Sequence, residues 1–123
     1  MKSTDRTLKQ DEIGQLIAAD KVKGTPVADM AGEKIGTIEN IMIDKPTGRV
    51  AYAVMSFGGI LGMGKHRYPL PWQMLQYDTN LDSYVVDIDA NKLKGAPTFD
   101  EGAITWSDER WRRVNDHYKV SMY

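Results

Sequence analysis

The sequence contains no cysteine, which excludes disulfide bonds, thiolate nucleophiles and cysteine-based zinc sites. It contains only two histidines, His66 and His117, and neither has a partner at a zinc-ligand spacing. A histidine that acts as a general base also needs a substrate or nucleophile within reach, and no such pairing shows in the sequence. We therefore predict no catalytic residue, no metal site and no cofactor, and interpret both histidines as surface residues.

The sequence also has no large excess of positive or negative charge, because it contains 16 basic and 17 acidic residues and its formal net charge is −1. A near-neutral domain lacks the field of a dedicated nucleic-acid binder. No apolar run approaches the roughly 20 residues that a membrane-spanning helix needs. The first 16 residues are polar and lack the apolar core of a signal peptide. These features, together with the lack of cysteine, predict a cytoplasmic protein.

Turn-forming residues are abundant, with 11 glycines and five prolines spread over 123 residues. A turn is predicted at 29–32, where Gly32 can adopt positive φ, and a strong turn at 44–48, where Asp, Pro and Gly combine. Between the turns lie apolar runs of strand length, and the run at 34–44 requires a bulge near Glu39 or Asn40 to keep its isoleucines on one face. The predicted strands are 21–28, 34–44, 49–57, 66–70, 76–78 and 83–88. Short strands joined by tight turns predict an all-β protein, a small antiparallel barrel of about six strands.

Helical patterns are confined to the two ends of the chain and one turn at 90–93. Near the N-terminus, Asp11 caps a predicted short helix over 12–19. Near the C-terminus, Ser107 caps a predicted helix whose Trp111, Val114 and Tyr118 share an apolar face. That face packs on its own barrel or on a second subunit. The predicted organisation is an N-terminal segment (1–20), a barrel domain (21–94), and a linker with a C-terminal helical arm (95–123).

Several motifs occur in order along the predicted strands: KIGTI at 34–38, MID at 42–44, GRVAYAV at 48–54, FGG at 57–59 and PLPW at 69–72. In order and spacing they resemble the PRC-barrel family over roughly residues 20 to 95, and the tail at 106–118 resembles the ends of stand-alone bacterial members. The resemblance implies a small β-barrel without shared catalytic residues. Related domains in a photosynthetic reaction-centre subunit and in a ribosome-maturation factor act as adaptors that contact other proteins.

Two stretches imitate ligand-binding motifs. The segment 59–66 matches a phosphate-binding P-loop except that His66 stands where the pattern needs Ser or Thr, and prolines follow where it needs a helix. The segment 78–83 imitates the start of an EF-hand loop, with Ser83 in place of the required glycine. We interpret the first as a structural glycine loop and the second as a hairpin turn rich in Asx residues.

The glycine loop carries an apolar tip, Ile60, Leu61 and Met63, followed by the basic run Lys65, His66 and Arg67. Apolar residues on a loop suit a partner surface, although the tip can equally fold back over the barrel mouth. A second basic cluster on the C-terminal helix is interleaved with acidic residues, which favours a solvated face over a nucleic-acid patch.

These observations favour a non-enzymatic adaptor that binds an unknown protein partner and forms a homodimer. The predicted partner-binding residues are Ile60, Leu61, Met63, Lys65, His66, Arg67, Trp111 and Tyr118. One alternative is a small-ligand-binding protein or enzyme that uses the glycine loop with His66 and Arg67, which requires a concave pocket there. Another is a peripheral membrane or electron-transfer accessory, by analogy with the reaction-centre relative alone.

Overall fold

The structure is a computed structural model, and it describes residues 12–13, 16–57, 66–88, 90–93, 95–98 and 108–120. The elements follow one another along the chain as a run of short strands with a few helices between and after them. The strands are β1 (Glu12–Ile13), β2 (Leu16–Ile17), β3 (Pro26–Ala28), β4 (Lys34–Ile43), β5 (Val50–Phe57), β6 (His66–Pro71), β7 (Gln76–Asp78) and β8 (Ser83–Val85). The helices are α1 (Ala19–Val22), α2 (Ala90–Leu93) and α3 (Asp108–Tyr118), with a 3₁₀ turn at Trp72–Met74.

Six of the strands form one sheet in the order β6-β5-β4-β3-β8-β7, which confirms the predicted all-β class. All neighbouring pairs are antiparallel except β3 and β8, which run parallel. The sheet is therefore mixed, whereas the sequence predicted an antiparallel one. A parallel pair needs a long crossover connection, and the chain from β4 to β7 supplies it.

The connection between β6 and β7 forces the sheet to curl. These strands lie at opposite edges of the sheet, and in a flat sheet six strands spaced about 4.8 Å apart would separate the edges by about 24 Å. Only residues 72–75 join the two strands, and the five steps from Pro71 to Gln76 span at most about 19 Å. The sheet must therefore bend towards a barrel, although its described edge strands do not pair and the barrel is not closed.

The edge formed by β6 is protected in two ways. Pro69 and Pro71 pair with Val54 and Tyr52 of β5, and proline, which has no N–H, is tolerated because an edge strand donates to one neighbour only. Helix α3 packs against this strand. The outer side of β6 is therefore poor in donors and covered, so it offers little to a further strand.

The inside of the curled sheet is filled with side chains. Val27, Ile38, Met55 and Leu70 are fully buried there, with Val86 almost so. Residues 51–55 of β5 are all buried, as the sequence predicted for a central strand. Among the described residues, the interior is thus a packed core of apolar side chains.

Local backbone features agree with several predictions. The register of β4 against β5 shifts between Ile38 and Asn40, which confirms the bulge near Glu39. In the turn at 44–48, the Gly48 N–H donates to the Asp44 carbonyl at 2.8 Å. Gly48 has a φ of +76°, a conformation that glycine adopts without strain.

The predicted N-terminal helix over 12–19 is wrong. Residues 12–13 and 16–17 form the antiparallel strands β1 and β2, in which Glu12 pairs with Ile17 and Ile13 with Leu16, and the helix α1 begins only at Ala19. A helix of eight residues containing a glycine is too short and too weak to form unless packing supports it. Leu16 is 73% exposed, so that support is missing.

The first strand of the main sheet also begins later than predicted. The sequence placed it at 21–28, but residues 19–22 are helical and β3 starts at Pro26. The backbone N–H of Thr25 donates to the Val22 carbonyl at 3.1 Å, which ties the intervening residues to the helix.

We expect Gly36→Ala to lower the free energy of unfolding by about 2 kcal/mol or more, because it overpacks the core. A Cβ at this position would lie 2.6 Å from the Met55 Cγ and 2.6 Å from the Ser56 carbonyl oxygen, and the carbonyl belongs to a paired strand that cannot easily move. Urea unfolding measures the change. Gly48→Ala is the control, since a Cβ there meets open space and only backbone strain of about 1–2 kcal/mol is expected. Equal losses for the two variants would contradict the steric explanation.

Candidate interaction surface at the loop end of the sheet

Two connections leave the sheet at the same end. The β3–β4 turn (29–33) lies there because Ala28 pairs with Lys34, and the end of β5 and the start of β6 lie there because Phe57 pairs with His66. The end of β8 joins them, since β8 runs parallel to β3. We call this region, formed by residues 28–34, Phe57, His66 and residues 85–88, the loop end of the sheet.

The structure places His66 within an aromatic group at the loop end. Its ring centroid lies 6.2 Å from that of Tyr68, and the Phe57 ring lies 6.5 Å from Tyr68. His66 is exposed and Phe57 half-buried, whereas Tyr68 is buried. The aromatic group therefore reaches from the core to the surface where β5 ends and β6 begins.

Arg67 does not join His66. Successive residues of a strand face opposite sides of the sheet, and Arg67 lies beside Glu39 of β4, with its Nε donating to the Glu39 Oε1 at 2.8 Å. The two side chains are 44% and 27% exposed. The pair orients Arg67 along the opposite face, so His66 and Arg67 do not converge on one point.

The predicted apolar tip, Ile60, Leu61 and Met63, and Lys65 lie outside the described residues. In the sequence, these residues lie between Phe57 and His66. Phe57 and His66, which flank them in the sequence, both lie at the loop end.

Met30 is an exposed apolar residue at the loop end that the sequence analysis missed. It is 69% exposed and borders a depression of about 220 Å³ together with Ala31, Ile88, Asp29 and Asp87. The turn holds its shape because the Asp29 Oδ1 accepts hydrogen bonds from the backbone N–H groups of Ala31 and Glu33, both at 2.9 Å. The available signal was a methionine in a turn that otherwise needs small or polar residues.

Trp111 and Tyr118 pack on this chain's own sheet. The Trp111 ring stacks on Tyr52 of β5 with centroids 4.4 Å apart and an interplanar angle of 28°. The Tyr52 hydroxyl donates to the Oδ1 of buried Asn115. Val114 and Tyr118 are buried in the core. The sequence left open whether this helix face packs on its own barrel or on a second subunit, and the structure shows that it packs on its own sheet.

The hydroxyl of Tyr118 is buried and has no hydrogen-bond partner among the described residues. Burial raises the pKa of this phenol well above its usual value, and the neighbouring Tyr68 adds to the rise. Burial also raises the pKa of Tyr84. Both phenols therefore stay protonated in the folded protein at pH values where free tyrosine ionises.

The segment 78–83 forms the predicted hairpin turn. The Asp78 Oδ1 accepts hydrogen bonds from the N–H groups of Asn80 at 2.8 Å and Leu81 at 3.2 Å, as in an Asx turn. The Asp78 carboxylate therefore accepts hydrogen bonds from the backbone of its own turn. Within the described part of the chain, no group of three or more His, Asp or Glu side chains is placed to hold a metal ion.

The sequence pattern of the PRC-barrel domain matches residues 14–93, a stretch that includes all six strands of the main sheet. The chain belongs to the PRC-barrel family. The matched stretch ends at α2, so α3, which covers the β6 edge, lies beyond it. The division of this PRC-barrel chain at residues 20 and 94 stays a prediction.

Among solved structures, the chain is similar to a protein of Pseudomonas aeruginosa described as a 16S ribosomal RNA processing protein, RimM. The identity is 19%, the alignment covers 68% of this chain and 50% of that one, and the TM-score is 0.41. This chain therefore spans about half the length of that protein. Among curated proteins, none matches the chain. Across the described residues, no helix is long and apolar enough to cross a bilayer.

We expect Tyr118→Phe to leave the free energy of unfolding unchanged or raise it by up to about 1–3 kcal/mol, because it removes a buried polar atom without a partner. Tyr52→Phe is the matched control. It removes the hydrogen bond to buried Asn115 and should cost about 1–3 kcal/mol. Urea unfolding at pH 7 separates the two, and a clear loss in Tyr118→Phe would contradict the assignment.

The raised phenol pKa values predict how stability depends on pH. Tyrosines of the unfolded chain ionise near pH 10, whereas Tyr118 and Tyr84 keep their protons in the folded state. Their contribution to stability is complete below about pH 10 and is lost as the pH rises towards the folded-state pKa values. Urea unfolding from pH 9 to 11 should therefore show a fall that is smaller in Tyr118→Phe than in the wild type. Identical pH profiles would contradict this prediction.

Proposed function

We propose that this PRC-barrel protein is a non-enzymatic adaptor that binds a protein partner through the loop end of its sheet. The observation that supports it best is the exposure of Met30, which stands with half-buried Ile88 beside a shallow depression. Exposed apolar residues grouped at one place are a feature of interaction sites.

The loop end has the composition of a protein-binding surface. Met30, Ile88 and Phe57 provide apolar area, and the sequence between Phe57 and His66 adds Ile60, Leu61 and Met63. Charged residues surround this area, with acidic Asp29, Glu33 and Asp87 and basic Lys34, all close along the chain to its apolar members. An apolar centre within a polar rim is the usual anatomy of an interface.

The packed interior supports binding at the surface. Core side chains such as Ile38, Met55 and Leu70 fill the inside of the sheet among the described residues, which favours contacts at the surface. His66 and Arg67 lie on opposite faces of β6, an arrangement that favours two separate contacts over a pocket built from both.

We further infer that the adaptor is a cytoplasmic homodimer. The lack of cysteine fits a reducing compartment. The exposed apolar surface at the loop end fits a second copy of the chain, since most soluble oligomers are homodimers with a twofold axis. Trp111 and Tyr118 contribute by holding α3 against the sheet, which leaves the loop end as the place of contact.

The homodimer predicts twice the monomer mass in light scattering after size-exclusion chromatography at about 10–100 μM, a range in which moderate dimers persist. Met30→Asp and the double variant Leu61→Asp/Met63→Asp should shift the protein towards the monomer mass. If the wild-type protein is monomeric at micromolar concentration, the proposal of a homodimer is wrong.

The adaptor function predicts that tagged protein retains a partner from an extract of its source organism, and that loop-end variants lose it by about tenfold or more, the effect of losing about 1.4 kcal/mol of contacts. The variants are Met30→Asp and Leu61→Asp/Met63→Asp. Leu81→Asp is the control, because Leu81 is also exposed and apolar but lies in the β7–β8 turn at the other end. Quantitative mass spectrometry compares recoveries, and equal recovery with all four proteins would discard the loop end as the binding surface.

A further inference from the structure

A cleft lies at the end of the sheet opposite the loop end, where the chain enters β3. It has a volume of about 230 Å³. One wall is the segment from α1 to the start of β3, the other is the β7–β8 hairpin, and β2 contributes Ile17. Its lining residues are Ile17, Lys21, Lys23, Gly24, Thr25, Pro26, Tyr77 and Asp82.

Hydrogen bonds hold the wall that carries the two lysines. The Thr25 hydroxyl donates to the Lys21 carbonyl at 2.9 Å, and the Gly24 N–H donates to the Ile38 carbonyl at 2.7 Å. Thr25 is itself buried. The backbone next to Lys21 and Lys23 is therefore anchored to the central strand β4, and both exposed lysines belong to this wall of the cleft.

The opposite wall carries a carboxylate that is already oriented. The Tyr77 hydroxyl donates to the Asp82 Oδ1 at 3.0 Å, and Asp82 adopts a φ of +50°, which is uncommon for a residue other than glycine. The bond uses one carboxylate oxygen, so the second can accept a hydrogen bond from a ligand. Within the described part of the chain, neither lysine of the cleft has an ion-pair partner within 4.0 Å.

The cleft is thus lined by two lysines on one wall and by a hydrogen-bond acceptor, Asp82, on the other. Ammonium groups act on phosphate as point charges with three donors each, whereas carboxylates are typically held by the planar fork of arginine. The Pro26 and Ile17 side chains and the Tyr77 ring offer apolar contact to a short carbon skeleton. Since a water molecule takes about 30 Å³ of liquid, the volume has room for about seven or eight groups of that size.

We propose that this cleft binds a small phosphorylated polyol, with the phosphate between Lys21 and Lys23 and a hydroxyl donating to Asp82. Neither the sheet core nor the loop end takes part. The proposal is therefore independent of the adaptor function, and either can fail alone.

Titration of ¹⁵N-labelled protein with glycerol 3-phosphate at constant ionic strength tests the proposal. Amide signals of residues 21–26 and 77–82 should shift and saturate, whereas those of the turn at 44–48 should not. Inorganic phosphate should shift the same signals with a Kd about two- to tenfold higher, because it lacks the hydroxyl for Asp82. Absence of saturable shifts up to about 20 mM, a range that covers weak millimolar binding, would overturn the proposal.

The lysine variants decide which groups bind. Lys21→Ala/Lys23→Ala should weaken binding by up to about 25-fold, taking up to about fivefold for each of the two surface ion pairs. Lys34→Ala/Lys45→Ala removes the same charge from exposed positions outside the cleft and should bind as the wild type does. Asp82→Asn tolerates the same backbone conformation and should reduce the preference for glycerol 3-phosphate over inorganic phosphate. Equal weakening by both lysine pairs would mean general charge attraction and would overturn the assigned site.

Discussion

The short connection from β6 to β7 constrains this structure more than any other feature. Residues 72–75 join the two edges of a six-stranded sheet, and so few residues cannot bridge the width of a flat sheet. The sheet must curl, and curling gives it a concave face that only apolar side chains can fill. The fully buried Ile38, Met55 and Leu70 fill that face. The antiparallel pairing of successive strands places the turns at the two ends of the sheet, where surface binding is possible.

The C-terminal helix covers an edge strand that the curled sheet leaves unpaired. Because the edge strands do not pair with each other, β6 keeps an unpaired side that another chain could extend. Two prolines and the packing of α3 cover it. Two contacts position the helix: Trp111 stacks on Tyr52, and Tyr52 donates a hydrogen bond to Asn115. The Tyr118 hydroxyl is buried and has no hydrogen-bond partner among the described residues. The helix is therefore held mainly by aromatic packing.

The two ends of the sheet differ in chemistry. The loop end exposes Met30 beside acidic residues, which suits a protein surface. The opposite end carries Lys21 and Lys23 at a small cleft, which suits a small anion. Because they lie at opposite ends of β3, a molecule bound at one would leave the other accessible.

Much of the fold was predictable because its signals are local. The turn at 44–48 depends on Gly48, the bulge near Glu39 on the spacing of isoleucines, and the central position of β5 on its continuous apolar run; the structure confirms each. The family motifs placed the same strands in order. The predicted short N-terminal helix was wrong, because a segment with a weak helical pattern forms a helix only when other residues pack against it. The local sequence does not show whether such packing exists.

The sequence alone determined the class, the strands and the residues that can carry charge or apolar contact. Tertiary structure decided which of them meet. His66 and Arg67 are neighbours in the chain, but strand alternation separates them onto opposite faces, and Arg67 binds Glu39 instead. Lys21 and Asp82 are far apart in sequence, and the parallel pairing of β3 with β8 brings their segments to one cleft. Pairing between distant strands depends on the free energy of the whole core, which no short stretch of sequence contains.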